Sequence, residues 1–287
     1  MKIKIGYLGP DPVTFGYLAA KKFFNGIEDA EFISYHSHSE IISAVGKMEV
    51  DYGVVAIENV IDGIIAETVQ CTEDEAGRRG LYICGEVAVP IELYCLRKAD
   101  DLTPPKKILT HDSVTRQCRK FISKLQNEGA MLEITNSTAE AAQKAGQNSE
   151  IAVIASEEAA KKYGLRKVVP ESVADIANNK TRFWVLSKSY AKRTGKDKTC
   201  FLVNLEQTQS GALWKTIGFF AKRNINLLII YSNPIPGKHW EYTFLIELVG
   251  HIDDNNMEEA WEELRNSGLI TGRPHFLGSY PDTTSGI

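Results

Sequence analysis

From residue 3 onward, short apolar runs of strand-forming residues alternate with stretches of helical spacing: IKIGYL, then TFGYLAAKKFF, AEFISYH, SEIISAVGKM and YGVVAI. This order constrains the fold more than any other feature, because successive strand–helix–strand units close as a mostly parallel sheet with helices on its faces. Two helix starts carry their own signal. Ser37 with Glu40, and Ser137 with Glu140, stand at capping-box spacing ahead of helical runs. Further on, GEVAVPIELYCLRK reads as a long extended run around Pro90. KKILTHDSVTRQCRKFISKL reads as strand, turn and helix, and IAVIASEEAAKKYGL as strand and helix.

The pattern breaks near SKSYAKRTGKDKT, residues 187–199, where basic residues and a glycine interrupt the apolar periodicity. The break divides the chain into 1–188, a linker at 189–198, and a second unit at 199–280. In the second unit the periodicities place a strand at 199–206, a helix at 211–223, strands at 226–233 and 241–250, a helix at 256–266 and a strand at 272–279. That order is βαββαβ, the ferredoxin-like arrangement. Leu213, Ile217 and Phe220 recur at helical spacing as core, and Ser210 is the expected N-cap of their helix.

Composition narrows the function classes. With 43% hydrophobic and 24% charged residues and a formal charge of −4, the chain lacks the basic excess that nucleic-acid binding leaves. No stretch approaches the length of a membrane span, and MKIKIGYLGP has no apolar leader core, so a cytoplasmic protein without membrane contact is expected. Five cysteines, Cys71, Cys84, Cys95, Cys118 and Cys200, are too far apart for a zinc or redox motif and read as reduced thiols. The six histidines form no ligand set, so no metal is expected. GYLGP has two glycines and runs on into Asp11 and Pro12, which is not a phosphate loop, and no nucleotide is expected.

One polar pair stands out. In NNKTRFWVLSK, residues 178–188, Thr181 and Arg182 sit at the start of the buried strand formed by Phe183, Trp184, Val185 and Leu186. Strand ends in open α/β sheets face ligand crevices, whereas an isolated Thr-Arg pair is ordinarily a loop hydroxyl and a solvated cation.

Six ordered motifs decide between these readings. YLGP followed by TFGYLAA (7–20), AIENVIDGIIAET (56–68), STAEAA (137–142), IASEEAAKKYGL (154–165), NNKTRF (178–183), and GALW with GKHWEYTF in the tail together resemble the prephenate dehydratase family with a C-terminal ACT domain. The likeness spans nearly the whole chain. It implies a catalytic region of two α/β lobes, built like a type II periplasmic binding protein, with substrate in the cleft between them. The chain would cross between lobes near 88–97 and return near 170–181, which puts Thr181 and Arg182 in the cleft.

The resemblance also implies chemistry. Prephenate carries two carboxylates and a ring hydroxyl, so its site needs cations or backbone N–H groups and a proton donor. Arg182 is the expected anion partner. Loss of CO₂ pushes electrons into the ring while hydroxide departs, and the family ties the Thr-Arg-Phe threonine to this step, so Thr181 inherits that role with Arg182 and Phe183 beside it. Asn59 would donate to substrate oxygens. Thr14, Ser137 and Thr138 lie at helix N-termini that favour anions, where Thr14 or Ser137 equally serves as a cap. Glu58 belongs to the same stretch and is expected to hold the loop. No cofactor is required. The substrate class is prephenate or its amino analogue arogenate.

Several cleft positions depart from the family pattern. Val13 replaces a glycine before Thr-Phe, Val60 replaces a hydroxyl residue after Glu-Asn, and Thr110, His111, Asp112 and Ser113 replace a Ser-His-Pro-Gln stretch. Asp112 reads as a helix N-cap or, beside a dianion, as an acid. These changes leave two alternatives: a prephenate decarboxylase that keeps the hydroxyl and protonates a ring carbon, and a non-catalytic amino-acid sensor. In the tail the family's effector motifs stand as Gly211, Ala212, Leu213 and as Tyr231, Ser232, Asn233, Pro234, with Asn233 where the family has arginine. An aromatic amino-acid effector is implied with a weakened or redirected response, together with a homodimer or tetramer built through ACT sheets.

Overall fold

A computed structural model describes the chain over residues 2–9, 12–98, 104–135, 137–206, 208–235 and 237–284. Pro10, the last residue of the Tyr-Leu-Gly-Pro stretch, lies outside the described residues. The first lobe is β1 (Ile3–Leu8), α1 (Phe15–Phe23), β2 (Ala30–Tyr35), α2 (His38–Gly46), β3 (Tyr52–Asn59), the short β4 (Gly63–Ile64), α3 (Ala66–Arg79) and β5 (Tyr82–Pro90). The second lobe is β6 (Tyr94–Arg97), β7 (Lys107–His111), α4 (Asp112–Gln117), α5 (Arg119–Asn127), β8 (Met131–Thr135), α6 (Thr138–Gln147), β9 (Ile151–Ala155), α7 (Glu157–Tyr163) and β10 (Arg166–Lys167). The chain then returns to the first lobe as β11 (Lys180–Ser187). The tail adds β12 (Asp197–Asn204), α8 (Ala212–Ala221), β13 (Leu227–Pro234), β14 (Tyr242–Val249), α9 (Asn255–Arg265) and β15 (His275–Pro281).

Local chemistry sets these elements. Ser37 and Ser137 accept hydrogen bonds from Glu40 N (3.1 Å) and Glu140 N (3.0 Å), satisfying amides that the first helical turn leaves open. Gly80 and Gly164 end α3 and α7 in the left-handed conformation that glycine adopts without strain. At α8 the expectation fails: Gly211 at φ 75° is the N-cap, not Ser210, and no side chain caps the helix.

Three sheets result. In the first lobe the order is β2-β1-β3-β11-β5, with β1, β2 and β3 parallel and β11 antiparallel to both its neighbours. The second lobe has the order β10-β6-β9-β7-β8, with β7, β8 and β9 parallel. The tail sheet runs β13-β14-β12-β15, all antiparallel, as βαββαβ connectivity requires. The whole is two α/β lobes followed by a ferredoxin-like unit.

Period two along β11 assigns its side chains to opposite faces. Phe183 and Val185 join Ile5, Val54 and Val87 beneath α1. Trp184 and Leu186 join Ile41, Val45 and Val69 from α2 and α3, and with them Cys200, Leu202, Leu245, Leu277 and Tyr280 from the tail sheet. The tail's helices cover one face of its sheet, and its other face shares this core with the first lobe. The approach is tight where β15 meets β5: Gly278 sits at φ +141°, and a Cβ there would stand 2.2 Å from the Ile83 carbonyl oxygen. No helix among the described residues is long and apolar enough to cross a membrane.

Candidate active site

Parallel pairing brings the ends of β1 and β3 to one edge of the first sheet, and antiparallel β11 starts at that edge. Thr14, Asn59 and Thr181 therefore share it. In the second lobe the ends of β7, β8 and β9 place His111, Ser137 and Ser156 along the corresponding edge. The two edges face each other. Arg116 Nε and Gln117 Nε2 of α4 donate to Asp62 Oδ1 and Oδ2, both at 3.0 Å, and Ser156 Oγ donates to Val13 O at 3.3 Å. Ligands of open α/β sheets sit at such edges.

Across the cleft runs a chain of amides whose orientation is fixed at both ends. Asn59 Oδ1 accepts from Ile61 N (2.9 Å) and Asp62 N (3.1 Å), so its Nδ2 must be the group turned toward Asn179 Oδ1 (2.9 Å), Lys180 O (3.2 Å) and Thr181 Oγ1 (2.9 Å). At the other end the Asp62 carboxylate can only accept, which orients Gln117, and Gln117 Oε1 then accepts from Asn179 Nδ2 at 3.0 Å. Each amide therefore has a single orientation. The consequence falls on Thr181. Because Asn59 donates to its oxygen, its own proton is left to donate elsewhere. Asn59, Asn179, Gln117 and Thr181 are all buried.

The other expected residues divide. Thr14 Oγ1 donates to Leu8 O (2.7 Å) and accepts from Tyr17 N (3.3 Å), so its hydrogen is committed to capping α1. Ser137 caps α6 through its lone pair, and Thr138 opens that helix half-buried at the cleft edge. Arg182, expected to meet substrate carboxylates, lies on the opposite face of β11 from Thr181, because adjacent strand residues alternate. Its Nη1 meets Glu247 Oε1 at 2.8 Å and Glu86 Oε2 at 3.1 Å. Glu58 lies on that same far face, with Oε2 at 3.1 Å from Arg182 Nε. Phe183 is a core residue beneath α1.

The departures are also placed. Val13 packs into the second lobe's core beside Tyr94, Leu109 and Ala139, holding the β1–α1 loop against that lobe. Val60 is 67% exposed and borders the far side of β11. Asp112 is not the N-cap of α4. That place belongs to His111, whose Nδ1 accepts from Ser113 N at 3.3 Å, while Asp112 pairs with Arg116 at 2.6 Å on the surface. Burial lowers the His111 pKa, with Asp112 opposing.

In the tail, Gly211, Ala212 and Leu213 form the start of α8, and Ser232 and Asn233 the end of edge strand β13, with Ser232 exposed and Asn233 buried. Sequence reasoning passed over Gln117, Asn179 and Asp62. Asn179 and Asp62 stood within the quoted motifs, but their partnership joins positions 62 and 55 residues apart. No group of three or more His, Cys, Asp or Glu residues able to hold a metal occurs among the described residues.

Similarity to known proteins agrees with this geometry. Residues 5–191 match the family described as Prephenate dehydratase, and residues 202–266 match the ACT domain. Prephenate dehydratase of Bacillus subtilis (strain 168) is 33% identical, over 97% of this chain and 98% of that protein. The crystal structure of prephenate dehydratase in complex with L-Phe from Arthrobacter aurescens superposes with a TM-score of 0.84 at 29% identity, covering 97% of this chain and 90% of that one. A structure described as GqqA, a novel type of quorum quenching acylase, also superposes, with a TM-score of 0.79 at 25% identity over 97% of each chain. The cleft with its oriented threonine and the match over both units lead to one conclusion: this chain belongs to the prephenate dehydratase family and carries a C-terminal ACT domain.

Proposed function

We propose that the chain converts prephenate to phenylpyruvate, CO₂ and water, acting as a carbon–oxygen lyase. The carrying observation is the Thr181 hydroxyl, whose oxygen is occupied by Asn59 Nδ2 at 2.9 Å and whose proton is thereby free to donate. Departure of hydroxide consumes one proton, and hydrogen bonding to the leaving oxygen lowers the barrier while the electrons released with CO₂ aromatise the ring. The N-termini of α1 and α6, capped at Thr14 and Ser137, offer backbone N–H groups and the positive ends of helix dipoles to the two carboxylates. Arg182 takes no part in that recognition. The known likeness to an acylase does not weigh against this reading, because a fold hosts many reactions and the site decides.

We place the catalytic unit at 1–188, a linker at 189–198 whose last two residues already pair within β12, and the ACT unit at 199–280, with the protein in the cytoplasm as a homodimer or tetramer joined through ACT sheets. Edge strand β13, with Ile230 40% exposed, supports the pairing. An aromatic amino acid held near Gly211, Ala212, Leu213, Ser232 and Asn233 is the effector, a reading supported by the phenylalanine complex of the Arthrobacter relative.

The test is product identity from prephenate at neutral pH. Phenylpyruvate is expected; a dihydro-hydroxyphenylpyruvate, or no turnover, would sink the reading. Thr181→Val is expected to lower kcat by about 10²- to 10⁴-fold with KM little changed, and Thr181→Ser to retain activity.

A further inference from the structure

The strand that carries Thr181 is anchored on its other face by charge. Arg182 Nη1 is held by Glu247 Oε1 and Oε2 (2.8 and 2.9 Å) on β14 of the ACT domain and by Glu86 Oε2 (3.1 Å) on β5. Glu247 Oε2 accepts from Tyr280 OH at 2.7 Å on β15. Glu86 Oε1 accepts from Lys198 Nζ (2.9 Å) on β12 and from Thr283 N (3.1 Å) and Thr284 Oγ1 (2.9 Å) after β15. Lys198 also meets Asp282 at 3.1 Å. Apart from Glu58 at the rim, these charges are withdrawn from water: the Glu86 side chain is fully buried and the Glu247, Lys198 and Arg182 side chains are 2%, 4% and 9% exposed. Burial alone would depress the Arg182 guanidinium; Glu247, then Tyr280 and Glu86, reverse that and raise its pKa, so it stays charged.

Such a cluster is stable only when complete, because removing one partner strands a buried charge. Three of its members arrive on three different ACT strands, so completeness requires the ACT sheet to be seated. Arg182 and Thr181 are consecutive residues of one strand, and the peptide plane between them is rigid. A cavity of about 280 Å³ bordered by Arg182, Glu247, Lys180, Leu228 and Ile229 adjoins the cluster, leaving space on the β13 side.

We propose that Arg182 is a positioning residue: its clamp to Glu247 sets the place of Thr181 Oγ1 against Asn59, so the seating of the ACT domain controls the chemical step. The inference rests on the dehydration reading above. In the clamped state the hydroxyl and the amide relay are in register. When β14 shifts, Arg182 is drawn with it, and Thr181 leaves the position from which it reaches the departing oxygen. Control therefore acts on kcat, whereas an arginine that bound substrate would act on KM.

The experiment measures kcat and KM for prephenate in the full chain. Glu247→Gln keeps shape and removes the charge; kcat is expected to fall about ten- to a hundredfold with KM unchanged, the scale of a small misplacement of a reacting group. Tyr280→Phe, a milder change that preserves packing, is expected to give a smaller loss of kcat. Arg182→Met combined with Glu247→Gln should cost no more in kcat than the worse single variant, the signature of two residues acting through one contact. A wild-type kcat in both Glu247→Gln and Tyr280→Phe overturns the proposal, as does a rise in KM at constant kcat for Arg182→Met. Absence of turnover by the wild type overturns the dehydration reading together with this one.

Discussion

Toward the second lobe the first sheet presents an edge, met by amides, one carboxylate and a few hydrogen bonds; toward the ACT domain it presents a whole face, met by an apolar core and a buried charge cluster. The edge contact is narrow and directional. Gln117, Asn179, Asn59 and Thr181 each hold one orientation, yet the apolar contact between the lobes is carried largely by Val13 and Phe15. The face contact is broad. Trp184, Leu186, Leu202, Leu245 and Tyr280 share one cluster, and Gly278 lets two backbones approach within the reach of a single methyl group. A polar edge can open and close at small energy, since its groups find water when separated, whereas an apolar face with enclosed charges moves only as a body. On the function proposed above, substrate exchange would use the first contact and regulation the second.

The largest test of this contrast is Gly278→Ala. The new Cβ meets the Ile83 carbonyl and the positive φ is strained, so about 4 kcal/mol of stability should be lost, roughly 3 from overlap and 1 from the backbone. Denaturant unfolding reads this directly, and an unchanged midpoint would show that the sheets are not seated as described.

Next comes His38, the first residue of α2, a helix that packs into the same core. Burial lowers its pKa to about 4, and Nδ1 has no partner among the described residues. The unfolded chain binds this proton near pH 6.5 and the folded chain does not, so stability is full above pH 6.5. It should decline by about 3 kcal/mol as pH falls to 4. His38→Phe should flatten that part of the pH–stability curve; an equally steep curve would assign the loss to other groups.

The smallest effect is expected at the edge. Gln117→Ala removes the link between Asp62 and Asn179; stability should change by about 1 kcal/mol, while kcat falls about tenfold as Asn179 loses the partner that holds it beside Asn59. If stability suffers more than activity, the lobes are held together more firmly than the contacts indicate.

Much of this was legible in order and spacing. The alternation after residue 3 gave the first sheet, and the tail's periodicities gave βαββαβ to within a few residues, the last strand lying at 275–281 where 272–279 was expected. That Thr181 and Asn59 belong to one cleft was implied by the family resemblance of motifs 122 residues apart, but the direct bond between them was not. What stayed hidden was the face on which Arg182 lies. Phe183, Trp184, Val185 and Leu186 are all apolar because both faces of β11 are covered, one by α1 and the other by the ACT sheet, so polarity offered no alternation to read. Its partners Glu86 and Glu247 stand 96 and 65 residues away, beyond any local pattern. Likewise His111, not Asp112, caps α4, because a ring nitrogen can accept an amide hydrogen as a carboxylate does.

The insertion of β11 between β3 and β5 also bears on how the molecule is made. During synthesis the second lobe emerges as one uninterrupted piece, from Tyr94 to Lys167, and can close as soon as it leaves the ribosome. The first lobe waits with a slot in the middle of its sheet until residue 187 appears. The earliest residues to be translated are therefore among the last to be locked, and the segment that locks them is the one bearing Thr181.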